Sequence, residues 1–147
     1  MEIKFKQKDI PNLAKKIIDN LSKKKNKGAV VLALTGDLGS GKTTLTKEIA
    51  KQLGIKKSII SPTFVIMKFY GLSKTHNTLP NIDRLIHVDA YRLEGEADLL
   101  KIGWAEIIGG QNLVIVEWPE LVRKDIPKNA FWVKLSHIDE ETRLASW

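Results

Sequence analysis

The sequence predicts an α/β fold: a central sheet, mainly parallel with antiparallel additions, and helices on both faces. Three observations carry this expectation. The run "AVVLAL" at 29–34 is apolar without alternation, the mark of a strand covered on both sides. A Gly-rich turn and a helix-periodic segment follow it directly, as when a strand feeds a crossover. Further strand-like runs recur at 64–70, 85–90, 113–117 and 130–138. With 147 residues the chain is expected to form a single domain, 1–147.

In chain order, Ile10, Leu13, Ala14, Ile17, Ile18 and Leu21 recur at helical spacing, with Asp9 as N-cap and Pro11 in the first turn. This is a surface helix with one buried stripe. "SKKKNKG" (22–28) reads as a solvated turn into the strand at 29–34. After the Gly-rich turn, Leu45, Ile49 and Leu53 mark a helix that stops at Gly54. "FVIMKFY" (64–70) and "LIHVDA" (85–90) are strands, and "EGEADLLKIGWAEII" (94–108) holds two short helices carrying Leu99, Leu100, Ile102, Trp104, Ile107 and Ile108. "LVIVE" (113–117) and "AFWVKLSHI" (130–138) complete the strands, and "TRLASW" pairs back after the turn "DEE".

Composition narrows the function classes. The chain has no cysteine, which excludes a disulfide framework and a thiolate metal site. No stretch approaches the roughly 20 apolar residues of a membrane span, and no signal segment opens the chain. A cytoplasmic location without membrane contact is expected. The net charge of +7 is uneven: residues 1–28 hold nine Lys against three acids, while 89–147 hold seven basic residues against eleven acidic. Twenty of the twenty-four cations are Lys, whereas Arg is the better fork for phosphates and bases, so the surplus reads first as a Lys-rich surface and second as a nucleic-acid contact.

"GDLGSGKTT" (36–44) fits G-x-x-x-x-G-K-[ST], with Gly36, Gly41, Lys42 and Thr43 at the fixed positions. Glycines let the backbone bend so that its N–H groups meet phosphate oxygens, and the new helix adds positive potential at its N-terminus. Lys42 is placed to reach the β and γ phosphates and Thr43 to ligate Mg²⁺. The expected fold is therefore a P-loop NTPase-like sheet. Such a site needs an acid at the end of a second strand, and two are available, Asp89 and Glu117. No Asn-Lys-x-Asp guanine-reading stretch is present, which leaves ATP. "IIGGQ" (107–111) runs straight into a strand and reads as a turn, and the four Arg residues do not form a kinase lid.

Four stretches, "GDLGSGKTT", "SPTF" (61–64), "HVDAYRL" (87–93) and "VEWPE" (116–120), together resemble the TsaE (YjeE) family over roughly residues 8–138. That is a bacterial P-loop ATPase family of tRNA threonylcarbamoyladenosine (t6A) biosynthesis. The resemblance implies that Gly36, Asp37, Leu38, Gly39, Ser40, Gly41, Lys42, Thr43 and Thr44 bind ATP, and that Thr43 and Glu117 hold Mg²⁺. It further implies that Asp89 supports hydrolysis, that Thr63 belongs to a switch loop facing the γ-phosphate, and that Trp118 lies near the nucleotide and the partner surface. His87 reads as a packed or hydrogen-bonded strand residue, and Tyr91 and Arg92 as braces of the strand end. One departure stands out: "GLSKTHNTLPNID" (71–83) is longer than is typical of the family.

The implied function is a slow ATPase that does not itself transfer the threonylcarbamoyl group but acts on the TsaB–TsaD complex, with tRNA an indirect partner. The alternative is a nucleotide-switched tRNA-binding module gripping RNA through its Lys-rich N-terminal region. It predicts salt-sensitive RNA affinity by the chain alone.

Overall fold

The computed structural model describes all residues except 26, 61–65, 74–77 and 80. Seven strands form one sheet: β1 (Glu2–Phe5), β2 (Val30–Thr35), β3 (Met67–Gly71), β4 (Arg84–Asp89), β5 (Asn112–Glu117), β6 (Phe131–His137) and β7 (Arg143–Ser146). Their order is β1-β7-β6-β2-β5-β4-β3. The four central strands, β6, β2, β5 and β4, are parallel, and the additions at both edges are antiparallel. The helices are α1 (Ile10–Ser22), α2 (Lys42–Gln52), α3 (Glu96–Lys101) and α4 (Trp104–Gly109).

Alternation along β2 explains why its sequence is apolar throughout. Val30, Leu32 and Leu34 face a core built with Leu13, Ile17 and Leu21 of α1 and Leu45 and Ile49 of α2. Val31 and Ala33 face the opposite core, with Leu99, Trp104 and Ile107 of α3 and α4. Every residue from Val30 to Leu34 is buried, so no polar face is needed. Truncating Leu32, which is fully buried, to Ala would cost about 2–5 kcal/mol.

Several local expectations are refined. Asp9 does occupy the N-cap of α1, but its carboxylate accepts from the Lys6 backbone N–H at 2.9 Å instead of capping the helix. β3 begins at Met67, after Ile66 in a left-handed conformation (φ 48°), while 64 and 65 lie outside the described residues. "LIHVDA" ends as a strand at Asp89, where a 3-10 turn over Ala90–Arg92 takes over. The turn expected at Gly109 and Gly110 is instead a helix end: Gly109 closes α4 and Gly110 is its C-cap, and the buried Asn112 side chain donates to Ile107 O at 2.8 Å. β1 has no counterpart in the sequence reading. It pairs with β7, placing Phe5 opposite Arg143.

Parallel alignment of the four central strands brings their C-terminal ends to one edge of the sheet, where open α/β sheets place their ligands. β2 there gives way to the Gly-rich turn, β4 ends at Asp89 and β5 at Glu117.

Candidate functional site

Gly36 leaves β2 with φ 141°, and Gly39 (φ 76°) and Gly41 (φ 104°) also lie in the region that glycine alone enters freely. At Gly36 space is as restrictive as conformation, because an added Cβ would stand 2.1 Å from Leu135 O of β6. The turn is closed by Ser40 N–H donating to Asp37 O at 3.1 Å. Ser40 is fully buried, and its Oγ has no partner among the described residues. Gly41 is the N-cap of α2 and no side chain caps it, so the first-turn N–H groups and the positive end of the helix dipole face the loop.

Lys42 turns back over this loop. Its Nζ donates to Gly36 O at 2.6 Å and Asp37 O at 2.9 Å, and lies 4.1 Å from the centroid of the Trp118 ring. Burial lowers the pKa of this ammonium, opposed by the negative charges of Glu117, Glu120, Asp89 and Asp37. The amine is thus held by loop carbonyls and an aromatic face, and surrounded by acids.

The acids come from strand alternation. Leu85 of β4 and Leu113 and Ile115 of β5 face the α1–α2 core, and His87, Asp89 and Glu117 continue those rows toward the sheet edge. Asp89 stands opposite Glu117 in the parallel register. Thr43 Oγ1, in the first turn of α2, donates to Glu117 Oε2 at 2.9 Å, and His87 Nε2 lies 2.8 Å from Glu117 Oε1. Asp89 is only 8% exposed, and burial raises its pKa above the ordinary carboxylate value; the N–H of Tyr91 opposes this, and the charge of Glu117 adds to it. A carboxyl in a cleft, lifted by desolvation and a neighbouring acid, has the environment of a proton-handling group.

Trp118 adopts a left-handed conformation (φ 58°) before Pro119, costing about 1–2 kcal/mol of strain for a non-glycine residue. The strained turn brings its ring over Lys42 and within 5.1 Å of Tyr91. Leu38, Gly39, Lys42, Thr43, Asp89, Tyr91, Glu117 and Trp118 line one cavity of about 190 Å³. Larger hollows, of about 510 Å³ beside Gly54–Lys57 and 630 Å³ beside Lys23–Lys25, bring no comparable set of acid, hydroxyl and amine together.

The structure thus gathers most of the residues singled out in the sequence. Gly36 and Asp37 contribute carbonyls to Lys42, Leu38 and Gly39 line the cavity, and Thr44 is exposed in the first turn of α2, outside the cavity lining. Thr63, with the rest of 61–65, lies outside the described residues. His87, read from the sequence as a packed or hydrogen-bonded strand residue, is fully buried and bonded, and its partner, Glu117, is the first new placement. The second is Arg143 of β7, which runs beside the loop, where a Cβ at Gly41 would meet its Cδ at 3.9 Å. The period-two pairing of His87 with Asp89 on one strand face was the available signal for the first. The second depends on how β7 folds back.

The family model described as "Threonylcarbamoyl adenosine biosynthesis protein TsaE" matches residues 5–145. A tRNA threonylcarbamoyladenosine biosynthesis protein TsaE from Bacillus subtilis is 38% identical over 77% of this chain, and the match spans just under two thirds (65%) of that protein's own length. A protein of the same description from Rickettsia typhi is 35% identical over 95% of this chain and 88% of its own. The crystal structure of Bacillus subtilis YdiB superposes with a TM-score of 0.66 at 30% identity, covering 99% of this chain and 83% of that one. The chain belongs to the TsaE family, the threonylcarbamoyl adenosine biosynthesis proteins.

Proposed function

We propose that this TsaE-family protein is a Mg²⁺-dependent ATPase that assists t6A modification of tRNA by acting on the TsaB–TsaD complex, and that its own turnover is slow until a partner completes the site. The observation that carries this reading is the Thr43–Glu117 hydrogen bond, which places a hydroxyl and a carboxylate together at the mouth of the phosphate-binding turn. These groups fit the implied ligand. Mg²⁺ takes only one or two carboxylates from protein when phosphates and water supply the rest, and among the described residues no three His, Cys, Asp or Glu converge as a self-sufficient metal cage.

Bound there, Mg²⁺ would neutralise charge on the phosphates. The chain's own residues do the remainder. The uncapped N–H groups of α2 bind phosphate oxygens, and Lys42, released from Gly36 O and Asp37 O, moves its charge onto the β and γ phosphates. Asp89, as the carboxylate, takes a proton from an attacking water, its raised pKa making it the stronger base. Trp118 and Tyr91 line the cavity, the indole lying against Lys42.

Lys42→Ala tests the reading. It is expected to weaken ATP binding at least about 100-fold, and with it turnover in the presence of TsaB and TsaD. If both persisted at wild-type levels, the proposal would be wrong.

A further inference from the structure

His87 is fully buried on a strand whose neighbours on the same face are the apolar Leu85 and the acid Asp89. The phosphate chemistry proposed above makes no direct use of it. Its Nε2 lies 2.8 Å from Glu117 Oε1, while the other oxygen of that carboxylate accepts from Thr43 Oγ1 at 2.9 Å. A carboxylate accepts hydrogen bonds and does not donate them, so the Nε2 nitrogen carries the proton. Nδ1 has no partner among the described residues. The two oxygens of Glu117 are each matched to one donor, one from β4 and one from α2.

We propose that His87 is a positioning residue: its Nε2–H fixes the rotation of the Glu117 carboxylate, so that Oε2 stays turned toward Thr43 and toward a divalent cation brought in by the nucleotide. The inference rests on the ATP–Mg²⁺ reading of the site. Lys42 lies close enough to Glu117 for its charge to be felt there. An unrestrained Glu117 would turn toward that ammonium, forfeiting the metal and drawing Lys42 from the phosphates. His87 prevents both by committing Oε1. Partners that hold a metal-binding carboxylate from behind are typically worth 10–100-fold in metal affinity.

The test is calorimetric titration of the whole chain with ATP, once with Mg²⁺ and once with EDTA, the ratio of affinities giving the contribution of the metal. In His87→Leu that ratio is expected to fall by about 10–100-fold, with the EDTA affinity unchanged within about twofold. His87→Gln, whose amide reaches the place of Nε2, restores most of the ratio. His87→Asn, whose shorter amide does not, fails to restore it and replaces the Leu variant should that one not fold. A wild-type ratio in the Leu or Asn variant would overturn the positioning role. So would a Gln variant that folds and binds metal no better than they do. Should wild-type affinity itself ignore Mg²⁺, the reading of the site falls as well; a wild-type dependence left unchanged by the variants removes the His87 inference alone.

Discussion

Thr43 and Glu117 are 74 positions apart and meet at 2.9 Å, the hydroxyl at the start of α2 donating to the carboxylate at the end of β5. The contact ties the Gly-rich turn to the neighbouring strand. Thr43→Val keeps the shape and removes the donor. Turnover with partners is expected to fall about 100-fold or more, while stability changes by only about 1 kcal/mol, the usual worth of one hydrogen bond. Paired urea unfolding and turnover assays check this. A comparable loss in both would assign the contact to folding alone.

Gly36 and Gly39 separate conformational strain from steric exclusion. Both have positive φ, but a Cβ at Gly36 would stand 2.1 Å from Leu135 O, whereas nothing lies within 4 Å of one at Gly39. Gly39→Ala is expected to cost about 1–2 kcal/mol and Gly36→Ala at least about 3 kcal/mol. Urea midpoints of the two variants measure the difference, and equal losses would contradict it.

Asp89 predicts a pH-dependent trade between stability and activity. Burial, reinforced by Glu117, raises its pKa in the folded state, so the native chain holds this proton more tightly than the unfolded one. The stabilisation from this proton is therefore present in acid, below the unfolded value near 3.8, and is lost as pH rises through the elevated native value. Asp89→Asn removes the cost of the buried charge while keeping an acceptor for the Tyr91 N–H. Its thermal midpoint should exceed that of the wild type at pH 8, the gain shrinking toward pH 4, while turnover is lost. A lower midpoint at pH 8 would contradict the assignment.

Trp118 should report nucleotide binding. Its ring lies 4.1 Å from the Lys42 ammonium, which in the proposed mechanism leaves the loop carbonyls to meet phosphate. Tryptophan emission should therefore change on titration with ATP, and Trp118→Phe should abolish the change although Trp104, Trp132 and Trp147 remain. A change that survives the substitution would place the signal elsewhere.

The parts of this site that were legible in the sequence are those specified locally. The apolar run 29–34, the glycines at 36, 39 and 41, and Lys42 and Thr43 lie within one strand–turn–helix unit whose geometry follows from its own residues. Glu117 was found because it ends an apolar strand. The less legible parts depend on pairing over long separations. β1 consists of four residues, two of them charged, and exists as a strand because β7 lies beside it. The His87–Glu117 bond requires the register of β4 on β5, which no local pattern fixes. Asp9 carried the right residue type for a cap, yet its carboxylate found the Lys6 N–H instead, since a short acid next to a turn has several N–H groups within reach.

The most direct test of the central proposal is ATP turnover by the purified chain with Mg²⁺, measured alone, with the TsaB–TsaD pair, and with tRNA alone. A slow basal rate raised at least about tenfold by the protein pair and unchanged by tRNA is the expected result, since a partner-supplied charge can be worth several orders of magnitude in phosphoryl transfer. A rate indifferent to TsaB and TsaD but stimulated by tRNA would contradict it and favour an RNA-binding switch.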